Sequence, residues 1–155
     1  PLVRQARPDA RLMIAGTQPE NIRTYAAGAP GVEFTGFVED LDALYRKSRI
    51  VCCPILSGGG TRVKMVEAAA YGKAIVATRI GAEGLGLVDG QDYLQRDSAQ
   101  DFAAACIALL NDDDLCYRLG TAARQAAIQQ HDRQNILSLI QHHITSALSL
   151  TPRLV

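Results

Sequence analysis

The chain of 155 residues contains no tryptophan, and aromatic side chains make up only 5% of it. That scarcity removes the stacking platforms on which single-stranded nucleic acids are held. An excess of one charge is missing as well: sixteen Lys and Arg balance sixteen Asp and Glu. The arginines are scattered over several segments with no basic stripe, which argues against a nucleic-acid partner. No apolar run approaches the ~18 residues of a membrane span, and no secretory leader opens the chain. Cysteine is sparse, at four residues. Cys52 and Cys53 are adjacent in an apolar strand, so they point to opposite faces and cannot easily share a ligand sphere. Cys106 and Cys116 complete no C-x-x-C. The expectation is buried free thiols in a reducing cytosol and no metal site. His131, His142 and His143 lack a Cys or carboxylate cluster and are expected on the surface, or at an interface, of a terminal helix.

What is present is ordinary for a soluble domain with a real core: 48% hydrophobic and 21% charged residues. The chain does not begin with methionine and starts inside a helical segment, Leu2 to Ala6, so it reads as a piece of a longer protein. Strand and helix then alternate. Arg11 to Gly16 reads as a strand, Pro19 to Ala27 as a helix with proline in its first turn, and Val32 to Gly36 as a strand. Asp40 to Ser48 is a helix capped by aspartate, and Ile50 to Pro54 a strand. Ala74 to Ala77 is another strand, followed by a polar, glycine-containing loop from Arg79 to Gly90. A short strand around Asp92 to Gln95 follows. Ser98 and Asp101 form a capping-box analogue for a helix reaching Leu110, and Asp112 to Gln130 and Asn135 to Leu150 supply two more. About five strands between helices predict an α/β fold: a Rossmann-like, three-layer αβα sandwich on a mostly parallel sheet. Residues 1–150 form the domain and 151–155 a frayed tail. Ligands of such sheets bind beyond the carboxyl ends of the strands. The loops there are Gly36 to Glu39, Pro54 to Gly60 and Arg79 to Gly86.

The middle loop is the most informative. Gly58, Gly59 and Gly60 break the chain after the Ile50 strand, Thr61 can cap a helix, and Gly72 can end it. Strand, glycine loop, helix and strand make a βαβ unit, whose bare N–H groups at a helix N-terminus suit a phosphate or pyrophosphate. Arg62 and Lys64 stand in the first turn, where the helix dipole disfavours cations. A bound anion would explain them. A helical wheel puts Val63, Val66, Ala69 and Ala70 toward the core, with Lys64, Glu67 and Tyr71 on the flank. The plain alternative is a Lys64–Glu67 pair on an ordinary surface helix.

The order Pro8 to Gly16, Val32 to Val38, Gly58-Gly-Gly-Thr-Arg-Val-Lys-Met-Val-Glu-Ala-Ala-Ala-Tyr-Gly-Lys73 and Gly81 to Leu85 resembles the C-terminal half of group 1 (family 4) glycosyltransferases, over residues 1 to about 130. The resemblance implies the GT-B fold, two Rossmann-like halves facing a cleft, with a nucleoside-diphosphate sugar of UDP or GDP type held mainly by this half. It also implies retention of anomeric configuration, no metal and no other cofactor. Glu67 falls on the second acid of the family's E-x7-E motif, whose role is to bind the ribose hydroxyls. The first acid would stand at position 59, which is glycine here. Phe37 and Val38 match the backbone contact to the nucleobase. The set expected to bind donor is therefore Phe37, Val38, Gly58, Gly59, Gly60, Thr61, Arg62, Lys64 and Glu67. Loop N–H groups, with Arg62 and Lys64, would stabilise charge on the departing diphosphate. The partners implied are the donor and an N-terminal acceptor domain. The setting implied is the cytoplasm, peripheral at the inner membrane only through the missing part. By the same resemblance the first strand of this half, with a further phosphate-binding basic pair, is absent, and the lone chain is expected to be inactive.

Three alternatives stay open. A nicotinamide dehydrogenase needs G-x-G-x-x-G, but position 63 is Val. A sugar-nucleotide epimerase shares the fold. A non-catalytic nucleotide-binding domain draws its support from the glycine at position 59.

Overall fold

Ala74-Ile-Val-Ala77 is the most deeply buried segment of the chain, and its four side chains decide the layering. Successive residues of a strand face opposite sides. Ile75 and Ala77 pack with Met65, Ala68, Ala69, Ala123 and Ala127, while Ala74 and Val76 pack with Ala105, Cys106, Leu109 and Leu119. Helices therefore cover both faces of this strand, as a parallel α/β sheet requires.

The computed structural model describes residues 1–16 and 28–150. The helix expected at Pro19 to Ala27 and the tail from Thr151 lie outside the described residues. In chain order come α1 (Leu2–Ala6), β1 (Leu12–Ala15), β2 (Val32–Gly36), α2 (Leu41–Lys47), β3 (Ile50–Cys53), α3 (Val63–Ala70) and β4 (Ala74–Ala77). They are followed by α4 (Arg79–Ala82), β5 (Leu94–Gln95), α5 (Ala99–Asn111), α6 (Asp113–His131) and α7 (Arg133–Leu150). Asp40, Ser98 and Asp112 cap α2, α5 and α6 as their side-chain chemistry predicts.

All strand pairs are parallel, but they form two ladders, β1–β2 and β3–β4–β5, rather than one continuous sheet.

Several local expectations are corrected. The segment expected as a loop from Arg79 begins with the helical turn α4, because the Thr78 hydroxyl accepts the Gly81 N–H at 3.0 Å. The core seam of α3 is Met65, Ala68 and Ala69, while Val63 is 53% exposed and Ala70 faces outward. The helix starts at Val63, and its seam must meet α6 as well as the sheet. Gly72 follows at positive φ and closes α3 with paired bonds, Gly72 N–H to Ala69 O and Lys73 N–H to Ala68 O. Gly120 of α6 lies against it so closely that a Cβ there would stand 2.2 Å from the Gly72 carbonyl oxygen.

All four cysteines are free thiols, with the sulfurs of Cys52 and Cys106 3.8 Å apart. His142 and His143 are exposed, but His131 is half-buried and its Nε2 has no hydrogen-bond partner among the described residues. On α7, Ile136, Leu139, Ile140, Ile144 and Leu148 remain exposed. No described helix is long and apolar enough to cross a membrane.

Candidate functional site

The chain turns at the carboxyl ends of β2, β3 and β4 carry the candidate residues, and the last two turns are joined to each other. The Thr78 N–H donates to Cys53 O at 3.3 Å, and the Thr78 hydroxyl donates to Ile55 O. A Cβ on Gly81 would lie 2.5 Å from Cys53 O, so only glycine lets α4 begin this close to β3.

Beyond β3 the glycines form an exposed loop. Gly58 and Gly60 have φ of +125° and +94°, conformations that L side chains rarely adopt. Gly59 has no such φ, and a Cβ on it would meet nothing within 4 Å. Neither its backbone nor the packing of this chain demands glycine there.

Arg62 departs from its expected place. It is the N-cap residue of α3, not a first-turn residue, and Thr61 does not cap the helix. Its side chain is buried behind the loop. Nη2 donates to Gly58 O at 2.8 Å, Nη1 to Gly59 O at 3.3 Å and Nε to Ile80 O at 3.0 Å. The guanidinium is thus committed to three carbonyls. Lys64 is exposed in the first turn, and its charge partly opposes the burial that pushes the Cys53 thiol up to about 11.

Glu67 lies one turn further along α3 and is half-buried. It forms no ion pair with Lys64 among the described residues. Instead its Oε2 accepts the Tyr45 hydroxyl of α2 at 3.0 Å. Tyr45 stacks on Tyr71 with ring centroids 4.6 Å apart. Burial first, and the bond to Glu67 second, push the Tyr45 hydroxyl well above its ordinary pKa. Tyr45 is 22 residues from its partner. No local motif in the sequence marks it.

Phe37 and Val38 follow Gly36 at the end of β2. Phe37 is 74% exposed. No hydrogen bond or ring contact between described residues links either of them to the glycine loop. Among the described residues, no group of three or more His, Cys, Asp or Glu could hold a metal ion.

A model of the family described as glycosyl transferases group 1 matches residues 1–112. The phosphatidyl-myo-inositol mannosyltransferase of Mycolicibacterium smegmatis (strain ATCC 700084 / mc(2)155) is 35% identical over 123 residues, covering 76% of this chain and 31% of that protein. The chain thus spans about a third of that relative's length. Among solved structures, Anabaena Alr3699/HepE in complex with UDP matches with a TM-score of 0.79 at 21% identity, over 94% of this chain and 43% of that one. The C-terminal domain of LpcC, a glycosyl transferase group 1 family protein from Francisella tularensis, matches with a TM-score of 0.70 at 23% identity, over 86% and 75%. At these identities the likeness to solved structures shows the fold: the Rossmann-like α/β domain of a GT-B protein.

Proposed function

The chain belongs to the group 1 glycosyl transferases, and from that premise we propose that it is the donor-binding half of an enzyme that moves a hexosyl group from a nucleoside diphosphate to an acceptor. The observation that carries this reading is Gly59. It is a glycine that its own fold does not need, flanked by Gly58 and Gly60 with their required positive φ, on an exposed loop before a helix. Room at such a loop is what close approach of a diphosphate to backbone N–H groups demands.

In this reading the N–H groups of the loop, at Gly58 to Thr61, receive the diphosphate, with Lys64 as a mobile cation beside them. Glu67, fixed through Oε2 by Tyr45, keeps Oε1 for the ribose hydroxyls. Backbone at Phe37 and Val38 meets the base. Negative charge on the departing diphosphate grows at preorganised donors, which lowers the barrier without metal, and the configuration at the sugar is retained. Residues outside this sequence supply the acceptor domain and the first strand of this half. Any membrane association comes through them. The relative's name specifies a mannosyl group and one structural neighbour holds UDP, so both UDP and GDP belong in the test.

That test is an NMR or calorimetric titration of the full-length protein with UDP and GDP, together with Glu67→Ala. One of the two nucleotides is expected to bind. Loss of charge-assisted hydrogen bonds worth ~1.5–3 kcal/mol should weaken it roughly tenfold or more. Unchanged affinity in Glu67→Ala removes Glu67 from the site. A second reading, a nucleotide-binding domain without catalysis, is favoured by the missing acid at position 59. It predicts binding with no release of nucleoside diphosphate from sugar donors.

A further inference from the structure

We propose that Arg62 is a positioning residue that turns the amides of the glycine loop outward for a diphosphate, and that it never touches the ligand itself. The proposal rests on the donor-binding reading above and deepens it.

Arg62 draws the carbonyl oxygens of Gly58 and Gly59 toward its guanidinium, at 2.8 and 3.3 Å. No peptide bond between described residues is cis. In a planar trans peptide the C=O and the following N–H point in opposite directions. With the two carbonyls held inward, the N–H groups of Gly59 and Gly60 must point away from Arg62, toward the exposed side of the loop. Neither N–H donates a hydrogen bond to a described residue. Two consecutive outward, unpaired amides are the kind of donor set an anion can be held by. The third bond, Nε to Ile80 O at 3.0 Å, ties this arrangement to the turn after β4. The loop is thereby anchored to the sheet through the joined ends of β3 and β4.

The chemistry explains why arginine is suited to the task. Three carbonyls in different directions need a planar fork with several donors, whereas a lysine ammonium offers a single point. The charge also lies directly behind the amides. It raises the potential at those donors while leaving no side chain in the ligand's path. The cation at the N-cap thus has a role that does not require it to face the phosphate.

The experiment uses full-length protein carrying Arg62→Lys and Arg62→Met, with NMR titrations of UDP, GDP, uridine and guanosine. Circular-dichroism melts of the same samples monitor folding. In folded variants, affinity for the bound nucleoside diphosphate should fall about tenfold or more, with that for the matching nucleoside unchanged. The Gly59 and Gly60 amide resonances should move in the free variants. Arg62→Lys should bind less tightly than wild type although its charge is kept. Wild-type diphosphate affinity in either variant overturns the proposal. An equal loss for nucleoside and diphosphate also overturns it, since that reports a merely structural role. If the wild-type protein binds neither UDP nor GDP, the donor reading itself fails. That outcome is distinct from wild-type binding with unaffected variants, which sinks only the positioning role.

Discussion

Replacing Tyr45 by Phe removes one oxygen and leaves the ring stack on Tyr71 in place. The perturbation is therefore confined to the 3.0 Å bond from the Tyr45 hydroxyl to Glu67 Oε2. A hydrogen bond to a charged group contributes ~1.5–3 kcal/mol. Glu67 is half-buried, so water can replace part of the bond, and the lower end applies, about 1–1.5 kcal/mol. In a chain of this size each kcal/mol moves the melting temperature by ~2–4 °C, so Tyr45→Phe should melt about 2–6 °C lower. Freed from Tyr45, the Glu67 side chain must be immobilised when it meets a ribose, at ~0.5–1.5 kcal/mol. The expected loss of nucleoside-diphosphate affinity is thus about two- to tenfold. A double-mutant cycle with Glu67→Gln assigns the effect to the pair. The pH dependence gives an independent check. The Tyr45 hydroxyl is raised above its ordinary value of 10.0, so its stabilising effect is complete below about pH 10 and is lost as pH rises further. Tyr45→Phe should flatten that alkaline loss. Equal melting temperatures, or tighter nucleotide binding in the variant, would refute the reasoning, the latter by showing that Tyr45 competes with the ribose for the carboxylate.

Gly120→Ala should destabilise the protein by about 1–3 kcal/mol, because its Cβ would sit 2.2 Å from Gly72 O, backbone against backbone. Alanine favours a helix over glycine by ~1 kcal/mol, so a raised melting temperature would show that α6 retreats freely. Cys53 supplies a test in pH: burial raises its thiol from 9.0 to about 11. Its contribution of about 2–3 kcal/mol is present below pH 9 and disappears as pH climbs toward 11. Denaturation curves of wild type and Cys53→Ala at about pH 8 and pH 10.5 should converge at the higher pH, and parallel curves would exclude the thiol.

The alternation of apolar runs and caps is enough to place most of the described strands and helices, because each signal is local. Asp40, Ser98 and Asp112 cap the helices they precede, and the buried run Ala74 to Ala77 is the central strand of its ladder. The glycine block was legible for the same reason. Partners distant in the chain were not. Nothing near Arg62 announces that Ile80, 18 residues later, will share it with Gly58 and Gly59. Without those carbonyls, a cation beside a helix start reads as a phosphate ligand. Tyr45 was invisible for the same cause. The wheel for α3 misplaced Val63 and Ala70 because a wheel assumes one apolar neighbour, whereas α3 meets both a sheet and α6.

The two ladders bear on how the protein comes to be folded. β1 and β3 each keep one edge of backbone donors and acceptors without a ladder partner among the described residues. On β1 the exposed Leu12 and Met13 add apolar surface. An edge of that kind accepts any extended segment of suitable length, including one from another copy of the chain. A strand paired at either edge would satisfy its donors and acceptors and compete with that intermolecular pairing.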